Sequence, residues 1–257
     1  MVEQSEVVRQ NREYWERLAP HRLGEPVRFF LEGGSALTDP ELALLGDVRG
    51  RRVLHLACSV GDEAVTFAQR GATVTAVDIA PSHLATARSK AAAVGVDVDF
   101  VEQDMMTLDP SITGFDVIYI SWGGLCWVPD LTSWTHSIAD RLNPGGTLLI
   151  SEHHPLWEVL TVRGDNTLSI TTDYFGTPRD GYTDPLKAPQ ITQHLGTPDL
   201  PHRSYVHNLG AIVTATLTAG LTLTSLQELP HPESYPALGP QSTQLPATYH
   251  LTATRPT

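Results

Sequence analysis

Val53-Leu-His-Leu-Ala-Cys-Ser-Val-Gly61, followed by Thr73-Val-Thr-Ala-Val-Asp78, is where the chain declares its fold. Each run is short, apolar and β-rich, and residues 62–69 between them carry apolar side chains at helical spacing. Strand, turn, helix and strand in that order form a βαβ unit, whose two strands must run parallel. The pattern extends outward. Residues 53–57, 73–78, 98–101, 115–121 and 147–151 read as five strands, with helices over 62–69, 81–94 and the stretch where Leu131, Trp134, Ile138 and Leu142 recur. Pro81 suits a first helical turn, and Asn143-Pro-Gly-Gly146 ends the third helix.

Two more strands, 221–229 and 248–254, follow a predicted helix over 205–220, and with no helix between them they should pair antiparallel. The expected class is α/β, a doubly wound, mostly parallel seven-stranded sheet. Residues 1–48 are expected to form a helical cap and 49–257 the main domain. From 154 to 205 periodicity fades, which predicts an irregular insertion on the substrate side.

The 257 residues are 41% hydrophobic and 18% charged, with no apolar run near the roughly 20 residues that span a bilayer. Seventeen basic against 29 acidic residues leave a net charge of −12, a field that repels nucleic-acid backbones. The charged amino terminus has no signal-peptide core, so the cytoplasm is the expected compartment, with Cys58 and Cys126 as free thiols in apolar stretches.

Ligands of doubly wound sheets bind beyond the carboxyl ends of the strands, so the turn after the first strand is decisive. It holds one glycine, Gly61, where a dinucleotide fingerprint needs three, and Asp62 and Glu63 would repel a pyrophosphate at the helix start. An NAD-dependent oxidoreductase is thus disfavoured. Asp78, closing the second strand, can accept both hydroxyls of a ribose, and an adenine ring fits between Ile79 and Met105 beside Asp104. An adenosine without phosphates is the ligand these residues suit.

Residues 50–152 resemble the core of class I S-adenosylmethionine-dependent methyltransferases of the small-molecule type. Val53–Gly61 matches the first motif, Asp78 the ribose-binding acid, Asp104 with Met105 the adenine-binding pair, and Leu142-Asn-Pro-Gly-Gly146 the turn into the fifth strand. His55 stands where that family has an acid, and Ala57 and Ser59 where it has glycine. The resemblance implies S-adenosyl-L-methionine as cofactor, held by His55, Ala57, Ser59, Gly61, Asp78, Ile79, Asp104, Met105 and Ser121. A non-catalytic binding or regulatory protein of the same fold is the alternative.

The fourth strand ends in Ser121-Trp-Gly-Gly-Leu-Cys-Trp127 and the fifth in Glu152-His-His-Pro155. By the resemblance, both edges face the methyl group and its acceptor. His153 and His154 are the candidate general bases, since an imidazole with an ordinary pKa of about 6.5 can take a proton near neutrality, with Glu152 orienting one ring. Tyr14, Trp15, Trp122, Trp157 and Tyr182 are the candidate acceptor-binding aromatics, which points to a small aromatic or apolar acceptor methylated on oxygen, nitrogen or electron-rich carbon. No metal motif is present; the paired acids of metal-dependent members are missing. The expected partner is that small molecule, with no nucleic acid and no membrane; a homodimer is compatible. The helix over 7–18 is expected to act as a lid.

Overall fold

The computed structural model describes residues 2–162, 167–175, 179–180 and 201–257. Seven strands form the central sheet: β1 (Arg52–Leu56), β2 (Thr73–Asp78), β3 (Asp99–Glu102), β4 (Phe115–Ser121), β5 (Leu142–His153), β10 (Thr222–Leu229) and β11 (Thr248–Thr254). Their order is β3-β2-β1-β4-β5-β11-β10, with β11 antiparallel to both β5 and β10 and the rest parallel. Order reverses between β1 and β4, which opens a crevice at their carboxyl ends.

Side chains alternate across the sheet, and both faces are covered. On one face Leu54, Leu56, Ile118, Ile120, Leu148 and Ile150 pack with Trp134 and Ile138 of α6 (Leu131–Arg141) and Ile212 of α8 (Leu209–Thr218). On the other, Val53, Ala76, Val117 and Leu149 pack with Phe67 of α4 (Asp62–Gln69), Leu84 of α5 (Pro81–Val94), Phe30 of α2 (Val27–Leu31) and Leu45 of α3 (Asp39–Leu45). Burial on both faces explains why the strands read as nearly continuous apolar runs.

The amino-terminal segment is helical, as expected, and α1 (Val2–Leu18) begins earlier than residue 7. Thr38 and Glu41 form a capping box at the start of α3, and Glu41 also accepts the Tyr119 hydroxyl at 2.6 Å, fastening this helix to β4. Behind β5 lie α7 (Pro155–Val159), a hairpin of β6 (Leu160–Val162) and β7 (Leu168–Ile170), and a short pair, β8 (Arg179–Asp180) with β9 (Arg203–Ser204). Cys58 and Cys126 are free and buried, in the turns after β1 and β4 rather than inside strands.

Candidate functional site

The turn after β1 keeps the backbone shape of a glycine loop without its glycines. Ala57 and Ser59 have φ of 51° and 49°, and Gly61 follows at 79°. A left-handed residue with a Cβ costs about 1–2 kcal/mol, so these two positions are held by their surroundings. Asp78 does the holding: its Oδ2 accepts the Ser59 amide at 2.7 Å and its Oδ1 the Ala80 amide at 2.9 Å. Gly61 has a further reason, since a Cβ there would sit 2.8 Å from the Ala87 methyl and 3.1 Å from the Phe100 ring.

Asp78, Ile79, Asp104 and Met105 line up along the ends of β2 and β3. Ile79 is half-buried and Met105 is packed into the core. Asp104 caps its own turn through the Met106 amide at 2.9 Å, and burial holds its carboxyl above the usual range. His55 departs from its expected role. It pairs with Tyr119 across β1 and β4, its ring centre 5.1 Å from that of Tyr119, so it faces the α4 side of the core instead of the cofactor crevice. Burial drives its pKa down to about 3, and neither ring nitrogen has a hydrogen-bond partner among the described residues.

Asp62 does not stand free to repel a ligand. It takes the ammonium of buried Lys90 and the Glu25 amide at 2.8 Å. Gly24 passes so close that a Cβ there would lie 2.2 Å from Asp62 Oδ2. Beside it, Arg22 donates to the Ser59 hydroxyl at 2.6 Å. The nearby lysine is spent on Asp62, while carboxylates from Asp78, Asp104 and Glu63 offer acceptors, which suits ribose hydroxyls, an adenine amine and an ammonium better than phosphates.

At the ends of β4 and β5, Glu152 proves to be the organiser. Its carboxylate accepts the amides of Gly123, Leu125 (2.9 Å) and His153 (2.7 Å), and burial raises its pKa to about 7. It fixes the backbone between β4 and the turn Leu125–Trp127 and does not orient an imidazole. His153 stacks on Trp157 with centroids 4.2 Å apart and meets Trp122 edge-on at 5.1 Å. His231, from the loop after β10, also meets Trp122 edge-on, at 5.3 Å. His154 is occupied elsewhere: Nδ1 accepts the Leu156 amide at 3.0 Å as the cap of α7, and Nε2 meets Glu228 at 2.8 Å. A ring so engaged has no nitrogen left for an acceptor's proton.

Helix α1 packs against the turn after β4 and the start of α5. Tyr14 is fully buried and stacks on His202 at 3.9 Å, and Trp15 packs edge-on against Trp127 at 5.4 Å and beside His83 at 5.7 Å. Asn11 exchanges two hydrogen bonds with the backbone of Arg203, at 2.9 and 2.8 Å, and Glu16 takes the Ser82 amide and hydroxyl. Tyr182, the remaining acceptor candidate, lies outside the described residues. Among the described residues there is no cluster of three His, Cys, Asp or Glu side chains suited to a metal ion, and no helix is long and apolar enough to cross a membrane.

A strand order of this kind, with an acid closing β2 and a left-handed turn after β1, is that of the Rossmann-like methyltransferase fold. Residues 53–146 match the family model described as a methyltransferase domain. A demethylmenaquinone methyltransferase of Thermus thermophilus is 36% identical over 107 residues, covering 41% of this chain and 48% of the relative. A ubiquinone biosynthesis O-methyltransferase of Xanthomonas oryzae is 37% identical over 106 residues, covering 41% and 44%. The matched region thus spans about half the length of these relatives. A crystal structure of an S-adenosylmethionine-dependent methyltransferase from Mesorhizobium loti superposes with a TM-score of 0.64 at 20% identity, covering 83% of this chain and 94% of its own, a likeness of fold.

Proposed function

We propose that the chain transfers the methyl group of S-adenosylmethionine to a small aromatic acceptor carrying an oxygen, nitrogen or electron-rich carbon nucleophile. The observation that carries this reading is the cluster of Trp122, His153 and Trp157 at the carboxyl ends of β4 and β5, next to the edge suited to the cofactor. When bound, the cofactor would supply an activated sulfonium methyl; Asp78, Asp104 and the 57–61 turn would hold it.

The protein's task is then alignment. Holding nucleophile, methyl carbon and leaving sulfur in line at near-attack distance supplies most of the acceleration in such a displacement. The indoles offer flat apolar walls that orient a ring, and α1 covers the crevice against water. His153 is the proposed base for an acceptor that keeps its proton at neutral pH. The two quinone-pathway relatives support a hydroxylated ring as the acceptor class.

The test uses S-adenosylmethionine labelled in its methyl group with catechols, hydroquinones, indoles and aromatic amines as acceptors. Label should pass to at least one ring compound, and S-adenosylhomocysteine should bind in calorimetry while NAD does not. Binding without transfer to any acceptor would favour the non-catalytic alternative, and NAD binding alone would overturn the reading.

A further inference from the structure

We propose that Glu63 is the counter-ion for the α-ammonium group of the cofactor's amino-acid half, so that α4 supplies the carboxylate that β1 lacks. The inference rests on the functional reading above and assigns one side chain to a part of the ligand for which that reading named no single partner.

Glu63 is the second residue of α4, and its Oε1 accepts the Ser121 hydroxyl at 3.1 Å. That bond pins the carboxyl between the turn after β1 and the carboxyl end of β4, the two edges that the amino-acid half of the cofactor would touch. His55 cannot serve there, because it faces the core beside Tyr119 and burial keeps it neutral.

On α4 the neighbour of Glu63, Asp62, is already paired with Lys90 of α5. Glu41 approaches from α3, Tyr119 from β4, and Cys58 from the turn; burial raises both the phenol and the thiol and keeps them neutral. Glu63 thus faces acids and neutral groups, and among the described residues no cation pairs with it. Burial, and then the nearby Asp62 and Glu41, push its pKa up to about 7. A half-buried carboxyl whose donors are its own backbone amide and the Ser121 hydroxyl is an expensive way to brace Ser121, since a neutral amide would do so without the charge. A cationic ligand offsets that cost.

Glu63→Gln keeps the size and the Ser121 hydrogen bond and removes the charge. It is compared with the wild type by calorimetry with two probes, S-adenosylhomocysteine and 5′-methylthioadenosine, which shares the nucleoside but lacks the amino-acid half. A hydrogen bond to a charged group is lost, so the variant should bind S-adenosylhomocysteine about tenfold or more weakly and 5′-methylthioadenosine unchanged. The wild type gives a second readout that needs no variant. The carboxyl must be ionised to bind, so affinity for S-adenosylhomocysteine should be full above pH 7 and fall toward pH 5.5, with no such slope for 5′-methylthioadenosine. Equal losses for both probes, or a variant that binds S-adenosylhomocysteine like the wild type with the same slope, would overturn the assignment. A wild type that binds neither probe would instead overturn the functional reading, and this assignment with it.

Discussion

His153 and His154 are adjacent in sequence and differ in everything that matters for chemistry. One faces two indoles; the other caps α7 and holds Glu228. His154→Ala should therefore lower stability by roughly 1–2 kcal/mol, the usual worth of a helix cap, visible in denaturant melts, while turnover per folded molecule is kept. His153→Gln should cut turnover about 10²–10⁴-fold with S-adenosylhomocysteine affinity within a few-fold, for an acceptor that must give up a proton. Turnover unchanged in His153→Gln would leave that ring a wall of the acceptor site. The pair was legible in the sequence, but the division of labour was not, because it depends on where β5 ends and which residue caps the next helix. Asp78 shows the same limit. Its place at the end of β2 was readable, whereas its grip on the Ser59 and Ala80 amides was not. Asp78→Ala should weaken S-adenosylhomocysteine at least tenfold and also lower the melting temperature, because the strained turn loses its tether.

At the scale of elements, the strands and helices of the βαβ core were the legible part, since period and punctuation agree there: Pro81 opens α5 and Gly95 closes it in the left-handed region. The helix before β10 was expected from residue 205 but starts at Leu209, where Asn208 caps it through the Ala211 amide. β5 runs back through the Asn143-Pro-Gly-Gly146 turn because Phe115 pairs with Leu142 across a register irregularity. The hairpin of β6 and β7 has strands too short to carry a period. Helix α1 was expected as a lid, and its anchors give that idea a measurable form. Amide exchange over residues 7–18 should slow when S-adenosylhomocysteine and acceptor are added, and Asn11→Ala should speed it in the free protein by releasing the Arg203 backbone. Equal exchange with and without ligands would make α1 a fixed brace.

At the scale of the whole molecule, buried titrating groups set opposing pH demands. His55, His154 and His250 have pKa values lowered by burial, so the unfolded chain binds more protons than the native one and stability falls as pH drops below about 6.5. Glu63 and Glu152 are raised to about 7 by burial, so the native state binds more protons than the unfolded chain above about 4.3, and their stabilisation fades as pH rises toward 7. The two sets offset each other between about pH 4.3 and 6.5; below that the histidines act with Asp109, Asp116 and Asp130, whose hydrogen-bonded carboxylates are lost on protonation. The melting temperature should be nearly flat across that window and fall steeply beneath it, and His55→Leu should soften the fall. An unaltered acid limb in His55→Leu would assign it to the carboxylates alone.

The sheet order also dictates a sequence of events. β11 follows β10 along the chain yet lies between it and β5, so β10 has no neighbour to join until residues 248–254 have taken their place. β10 is therefore synthesised before the strand on which it must dock. Growth of this half of the sheet thus runs against the direction of translation.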